Sequence, residues 1–197
     1  MTPAPRIRIQ SDDFDVGVEV DALRSPTVGA VAAFCGTVRE RGALEVQKGT
    51  PADVGIVGQP DTSALELEHY PGMTERAIEA MIDAAHARFD IQAARVVHRI
   101  GVLAPSDKIV LVVVSAAHRG AAFAACEFLM DYLKTQAPFW KKEHRPDGRA
   151  EWVDARVADD AALQRWGLAS GNAGASSTAS QPATGPARAG ASAESSA

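Results

Sequence analysis

Cysteine is scarce in this chain, with two among 197 residues, Cys35 and Cys126, far apart and outside any Cys-x-x-Cys spacing. That count excludes a disulfide framework and a thiolate zinc site, and both residues are expected as small buried hydrophobes. Long apolar runs are also missing. The longest, Ile109 to Val114, falls well below the roughly 20 residues of a membrane helix, and Met1 to Ile9 lacks the apolar stretch of a secretory signal. A soluble cytoplasmic protein is expected. Positive charge is in deficit, since 20 Lys and Arg stand against 25 Asp and Glu, for a formal net charge of -5. Non-specific binding to nucleic acid needs a basic surface that displaces counterions from phosphate, so any basic site here must be local. The phosphate loop Gly-x-x-x-x-Gly-Lys-Ser/Thr, the dinucleotide turn Gly-x-Gly-x-x-Gly, the Gly-x-Ser-x-Gly elbow and His-Glu-x-x-His are all absent. Common nucleotide, hydrolase and zincin readings lose their support with them.

What is present is an ordinary globular balance, 46% hydrophobic and 23% charged, enough for one domain with a real core. From Leu168 to the end the chain is Ser, Ala, Gly, Thr and Pro with almost no apolar bulk, a composition that cannot offset its ordering entropy. Residues 168–197 are therefore expected to be a disordered tail on a domain spanning 1–167. Gly42 to Ser63 carries Gly49, Pro51, Gly55, Gly58 and Pro60 without a sustained period, which predicts a long surface loop.

Within the domain the period switches between two and about 3.6 residues, as a mixed fold requires. Val28 to Phe34 and Leu65 to Tyr70 have strand character, the second alternating Leu65, Leu67 and His69 against Glu66, Glu68 and Tyr70. Arg95 to Leu103 and Lys108 to Ser115 read as a hairpin joined by Ala104-Pro105-Ser106-Asp107. The second of these is apolar on both faces and is expected at the centre of a sheet. A helix is predicted after Pro71-Gly72, with Thr74 as N-cap and Ala77, Ile78, Met81, Ile82, Ala85 and Phe89 as its core stripe. A second is predicted from Arg119 to Lys134, with Ala122, Cys126, Leu129, Met130 and Leu133 on one face and Pro138 just beyond it.

Basic residues stand at the ends of these elements in three places. Ser115-Ala116-Ala117-His118-Arg119 passes from a strand directly into a helix, where free N–H groups and the dipole favour an anion such as phosphate. Tyr132 to Glu143 places Lys134, Lys141 and Lys142 around an aromatic turn containing Pro138, Phe139 and Trp140. Bulky apolar groups and neighbouring cations disfavour an ammonium's charge, whereas a helix C-terminus favours it. Phe34-Cys35-Gly36-Thr37-Val38-Arg39 ends a strand with an arginine, a weak signal by itself.

The stretches GAVAAFCGTVRE, LELEHYPGMTERAIEAMI, the block from VHRIGVLAPSDK through HRGAAFAACEFLMDYLKTQAPFWKKE, and EWVDAR together resemble the large subunit of molybdopterin synthase, the MoaE family. The resemblance covers nearly all of the expected domain and is most specific from His118 through Glu143. It implies an α+β class, an α/β hammerhead-type fold with a mixed, mainly antiparallel sheet and two main helices. It further implies a sulfurtransferase that takes sulfur from the C-terminal Gly-Gly thiocarboxylate of a small ubiquitin-like carrier subunit. The acceptor is cyclic pyranopterin monophosphate, and the product is the molybdopterin dithiolene. The implied assembly is a homodimer within a heterotetramer, with neither metal nor cofactor held by this subunit. By matching position, Lys134 and Lys141 would be catalytic. Thr37, Val38, Arg39, His118, Arg119, Lys142 and Glu143 would bind substrate, together with Arg156, which would reach the site from the other protomer. Two rivals remain: a non-catalytic anion-binding or ubiquitin-like-docking module of the same fold, and a hydrolase pairing His118 with a cysteine.

Overall fold

A run of β-branched and other apolar residues can be stable only where both of its faces are covered, and Ile109 to Val114 within β6 (Lys108–Ala116) occupies such a place. A computed structural model describes residues 5–39, 63–153 and 165–167 of the chain. Before β6 come β1 (Ile7–Gln10), α1 (Val16–Asp21), β2 (Ala30–Thr37), β3 (Ala64–His69), α2 (Met73–Arg88), β4 (Ala93–Arg99) and β5 (Gly101–Leu103). After it come α3 (Arg119–Gln136), β7 (Phe139–His144) and β8 (Ala150–Val153).

The strands form two four-stranded sheets, ordered β1-β4-β6-β2 and β5-β3-β7-β8. All pairs are antiparallel except β1 with β4. The fold is α+β with two long helices and mainly antiparallel pairing, as expected, and its strands are divided between two sheets. On one face of the first sheet Val110, Val112 and Val114 meet Ile78, Met81 and Ile82 of α2 and Ala125, Phe128 and Leu129 of α3 in the main core. On the other face Leu111 and Val113 pack with Phe14 and Leu23. Each such side chain, fully buried, contributes about 1.5–3 kcal/mol. That second face is also fastened by Glu19, buried on α1, which accepts from Arg95 at 2.8 Å and from Arg8.

The predicted stripe of α3 is buried as read, and in that of α2 Ile78, Met81, Ile82 and Ala85 are buried while Ala77 and Phe89 are partly buried against the same core. Three details differ from the sequence reading. Gly72, at φ 78°, is the N-cap of α2, and its N–H is accepted by Glu75 at 2.5 Å. Thr74 is instead fully buried, its hydroxyl donating to the carbonyls of Tyr70 and Pro138, so it fastens α2 to the start of β7. The expected strand from Arg95 to Leu103 breaks at Ile100. Gly101, at φ 85°, takes a left-handed conformation that only glycine adopts cheaply. The break sends β4 to the first sheet and β5 to the second. Cys126 is buried as expected, whereas Cys35 is exposed.

The C-terminal end of the described chain is docked. Trp166 lies edge-on to Phe89 and Phe128, with ring centroids 5.8 and 5.4 Å away. Its Nε1 donates to Asp131 at 2.9 Å, and Arg165 pairs with Glu127 and Asp131. The expected loop 42–63, apart from Ser63, the tail 168–197 and Arg156 lie outside the described residues. No helix among the described residues is long and apolar enough to cross a membrane.

Candidate active site

A strand alternates its side chains, so β7 must send Phe139, Lys141 and Glu143 to one face of the second sheet and Trp140, Lys142 and His144 to the other. The first face looks into a cavity of about 720 Å³ between the two sheets and the C-terminal end of α3. Its apolar lining comes from Phe34, Leu65, Ile109, Val110, Met130, Leu133 and Phe139. Its cations come from three separate elements: Lys134 in the last turn of α3, Lys141 on β7, and Arg39 just past β2. Thr37, Val38, Cys35, Ser106 and His98 complete the wall.

Of the residues singled out from sequence, the cavity thus brings together Thr37, Val38, Arg39, Lys134 and Lys141. Val38 serves it by anchorage. Its side chain is buried with Leu67 and Leu103, its N–H donates to the Asp107 carbonyl, and its own carbonyl accepts from Ser106, both at 2.8 Å. Thr37 and Arg39 on either side are exposed. Ser106 makes that contact from the turn between β5 and β6 with φ 74°, a left-handed conformation costly for serine and held by its pairing to Val38.

The other candidates stand elsewhere. His118 is the N-cap of α3 and Arg119 its first residue, both exposed, while Lys134 lies in its last turn. At 1.5 Å per residue the two ends are roughly 22–24 Å apart, so one chain cannot bring His118 and Arg119 to Lys134. Lys142 faces away from the cavity, 3.4 Å from Glu66 and over the ring of Trp152. His144 donates to the same carboxylate at 2.8 Å, and that hydrogen bond, with the charge of Lys142, holds the Glu66 carboxyl below its usual range. Glu143 shares the face of Lys141 two residues farther along β7, away from the cavity wall.

His98 is the site residue that sequence reading passed over. It lies on β4 and is 7% exposed, with its ring stacked on Phe139 at 3.7 Å between centroids and 14° between planes. Nδ1 donates to the Arg99 carbonyl at 2.7 Å. Burial above all, then the positive charge of Lys141 and the neighbouring His69, pushes the imidazole down to about 4, so it is neutral at physiological pH. The signal available in sequence was a lone titratable side chain inside an apolar strand.

The cysteines are not arranged as nucleophiles. Cys126 points to the Val112 carbonyl, and burial raises its thiol to about 11. Cys35 is raised by partial desolvation and has no imidazole partner among the described residues. Among those residues no three His, Cys, Asp or Glu converge as a metal ion requires.

An α+β chain with an apolar, cation-rimmed cavity between two sheets is a class suited to holding anionic reactants away from water. The sequence model of the family described as MoaE protein matches residues 9–136, and the chain belongs to that family. A molybdopterin synthase catalytic subunit from Ralstonia nicotianae is 53% identical over 173 residues, spanning 87% of this chain and 89% of the relative. The solved MoaE protein from Burkholderia ambifaria is 52% identical, with TM-score 0.65, covering 84% of this chain and 99% of that one. The molybdopterin synthase structure from Staphylococcus aureus is 30% identical, with TM-score 0.64, covering 77% and 98%.

Proposed function

We propose that the cavity is the seat of molybdopterin synthase catalysis, in which sulfur passes from the C-terminal thiocarboxylate of a small ubiquitin-like carrier to cyclic pyranopterin monophosphate and forms the dithiolene. The chain is then the catalytic subunit and a sulfurtransferase of molybdenum cofactor biosynthesis, like the relatives that bear that name. The observation that carries this reading is the convergence of Lys134, Lys141 and Arg39, from three separate elements, on one apolar-lined cavity.

The chemistry explains why such a cavity is needed. A thiocarboxylate and a cyclic phosphate are both anionic, and two anions brought to bonding distance in an apolar space repel strongly. Fixed cations offset that repulsion, and the apolar walls strengthen their field by excluding water. In this reading Arg39 and Thr37 hold the phosphate-bearing substrate and Val38 fixes their position. Lys134 and Lys141 stabilise or exchange charge as the sulfur attacks and as water then cleaves the resulting thioester, releasing the carrier as its C-terminal carboxylate.

His118 and Arg119 enter this reading only through a second copy of the chain, because the length of α3 separates them from Lys134 within one copy. A homodimer in which each copy lends its helix N-terminus to the other's cavity satisfies both the separation and the expected substrate role. Arg156 has the same proposed part. Lys142, engaged by Glu66 on the opposite face, is left out of the cavity. With two free cysteines, one of them exposed, the chain suits a reducing compartment, and we place it in the cytoplasm. The test is reconstitution. The purified chain, a thiocarboxylated carrier and the cyclic precursor should yield dithiolene product, and a chain that binds both without turnover is a docking module.

A further inference from the structure

His98 has no part in the reading above, yet it gives the cavity a buried acceptor. The charged groups of the lining, Arg39, Lys134 and Lys141, carry hydrogen-bond donors and no acceptor. Apart from the weakly accepting sulfurs of Cys35 and Met130, the side-chain acceptors among the described lining residues are the hydroxyls of Thr37 and Ser106 and one nitrogen of His98. Thr37 and Ser106 are exposed, whereas His98 is buried. The interior of this wall therefore takes its strong side-chain acceptor from the imidazole.

Two contacts fix that acceptor. A carbonyl can only accept, so the 2.7 Å contact with Arg99 places the ring proton on Nδ1 and leaves the lone pair on Nε2. No hydrogen bond among the described residues engages Nε2. Phe139 stacks on one face of the ring, with centroids 3.7 Å and planes 14° apart, and so holds it in the wall. Burial keeps the ring neutral, so it can take a hydrogen bond without altering the charge of the cavity.

The carrier's C-terminal Gly-Gly suits this nitrogen. Its terminal carboxyl or thiocarboxyl group is an anion drawn to the cations of the lining, and the N–H of the last peptide bond is only two covalent bonds behind the carboxyl carbon. That N–H enters the same apolar space, where an amide donor without an acceptor loses its hydration uncompensated. Phe139, which carries the ring, and the cation Lys141 rise from the same face of β7, so the carboxyl group is drawn to the wall that holds the acceptor. A glycine backbone has no side chain to keep it from a nearly covered nitrogen, whereas a pterin is a broad and rigid ring system.

We infer that Nε2 of His98 accepts a hydrogen bond from the N–H of the carrier's last peptide bond and thereby sets the position of the thiocarboxylate that follows it. A carboxylate in the same place would also accept, but it would offset the positive charge that the anionic reactants require. An uncharged imidazole takes the N–H and leaves that field intact.

That role rests on the sulfur-transfer reading, and its test is a binding cycle that needs no turnover. The probe is the carrier in its carboxylate form, prepared with the ordinary last peptide bond or with an ester oxygen in place of that N–H, and titrated calorimetrically into the full-length chain. The ester should weaken binding to wild type roughly 5–10-fold. His98→Phe, which keeps a ring against Phe139, should bind the ordinary carrier weaker by a similar factor and the ester carrier no worse than that, within about twofold. An ester penalty of equal size in wild type and His98→Phe overturns the contact, as does the absence of a penalty in wild type. A second arm uses wild type alone and decides even where His98→Phe does not fold. Ring nitrogen NMR should show Nδ1 protonated throughout, with the Nε2 resonance displaced by the ordinary carrier and less so by the ester carrier. An Nε2–H tautomer, or an Nε2 signal that the carrier leaves unmoved or that both carriers move equally, refutes the assignment. Displacement by the cyclic precursor alone gives the nitrogen to the pterin and refutes it too. A chain that shows the ester-sensitive contact but makes no product keeps the contact and loses the sulfur-transfer function, and a carrier that does not bind wild type removes both.

Discussion

Lys134 and Lys141 reach one cavity from different walls, the first from the last turn of α3 and the second from β7, just past the turn at Ala137 and Pro138. The adjacent Lys142 points to the opposite face, where Glu66 holds it at 3.4 Å. Neighbours in sequence are therefore expected to differ in effect. Lys141→Ala should lower turnover by about 10²-fold or more, and Lys142→Ala should leave it within roughly threefold. Steady-state kinetics with both substrates saturating checks this, and equal losses would mean that β7 is wrongly oriented.

Separation along α3 gives a second expectation, for mixed assemblies. Lys134→Ala and Arg119→Ala chains should each be impaired alone. If each cavity takes Lys134 from one copy and Arg119 from the other, half of the randomly mixed dimers hold one intact cavity of two, and activity should return to about a quarter of wild type. Mixing that restores nothing would place both residues in separate functions.

The buried imidazole of His98 makes stability depend on pH with a definite sign. Its folded pKa, about 4, lies below the ordinary value of 6.5, so between these the unfolded chain binds the extra proton. Stability from this group is fully present above pH 6.5 and is lost as pH falls toward 4, on the order of 3 kcal/mol in total. Between pH 7 and pH 5 the loss should be about 2 kcal/mol by urea unfolding, and His98→Phe should lack that component. A variant with the wild-type pH dependence would show that the ring is not buried neutral.

Trp166 closes the domain against Phe89, Phe128 and Asp131. Its replacement by Ala should cost about 2–3 kcal/mol, while a chain ending at Gly167 should keep wild-type stability and turnover. Thermal unfolding of the two proteins separates the docked segment from the residues that follow it.

Cys126, with its thiol raised to about 11 by burial, should resist alkylation in the folded protein, while the exposed Cys35 should react. Replacing both with Ala should leave sulfur transfer within about threefold of wild type, because the sulfur comes with the carrier. Loss of transfer in a folded double variant would return a cysteine to the mechanism.

These outcomes also show which parts of the molecule sequence could reveal. The stripes of α2 and α3 and the doubly covered β6 were legible because burial imposes a period on many residues at once. The break at Ile100 was not, because VVHRIGVL keeps its β-branched and apolar character across it and only the φ of Gly101 reports the change of sheet. Reading Pro138, Phe139 and Trp140 as a turn conceals that Phe139 opens a strand whose alternation sets Lys141 and Lys142 on opposite faces. His118 and Arg119 were grouped with the lysines through family resemblance, and only the length of α3 shows how far apart they stand. His98 was hidden because a single histidine in a strand carries no periodic signal, and its importance comes from Phe139, 41 residues later in the chain.

The central claim is that Lys134 acts on the chemical step within this cavity. It is tested most directly by single-turnover sulfur transfer at saturating carrier and precursor with Lys134→Ala and Lys134→Arg. The account predicts that both bind carrier and precursor, and that both transfer sulfur about 10²–10⁴-fold more slowly than wild type, since a guanidinium neither exchanges its proton nor reproduces the ammonium's point charge. A Lys134→Ala chain that transfers sulfur at close to the wild-type rate would contradict it.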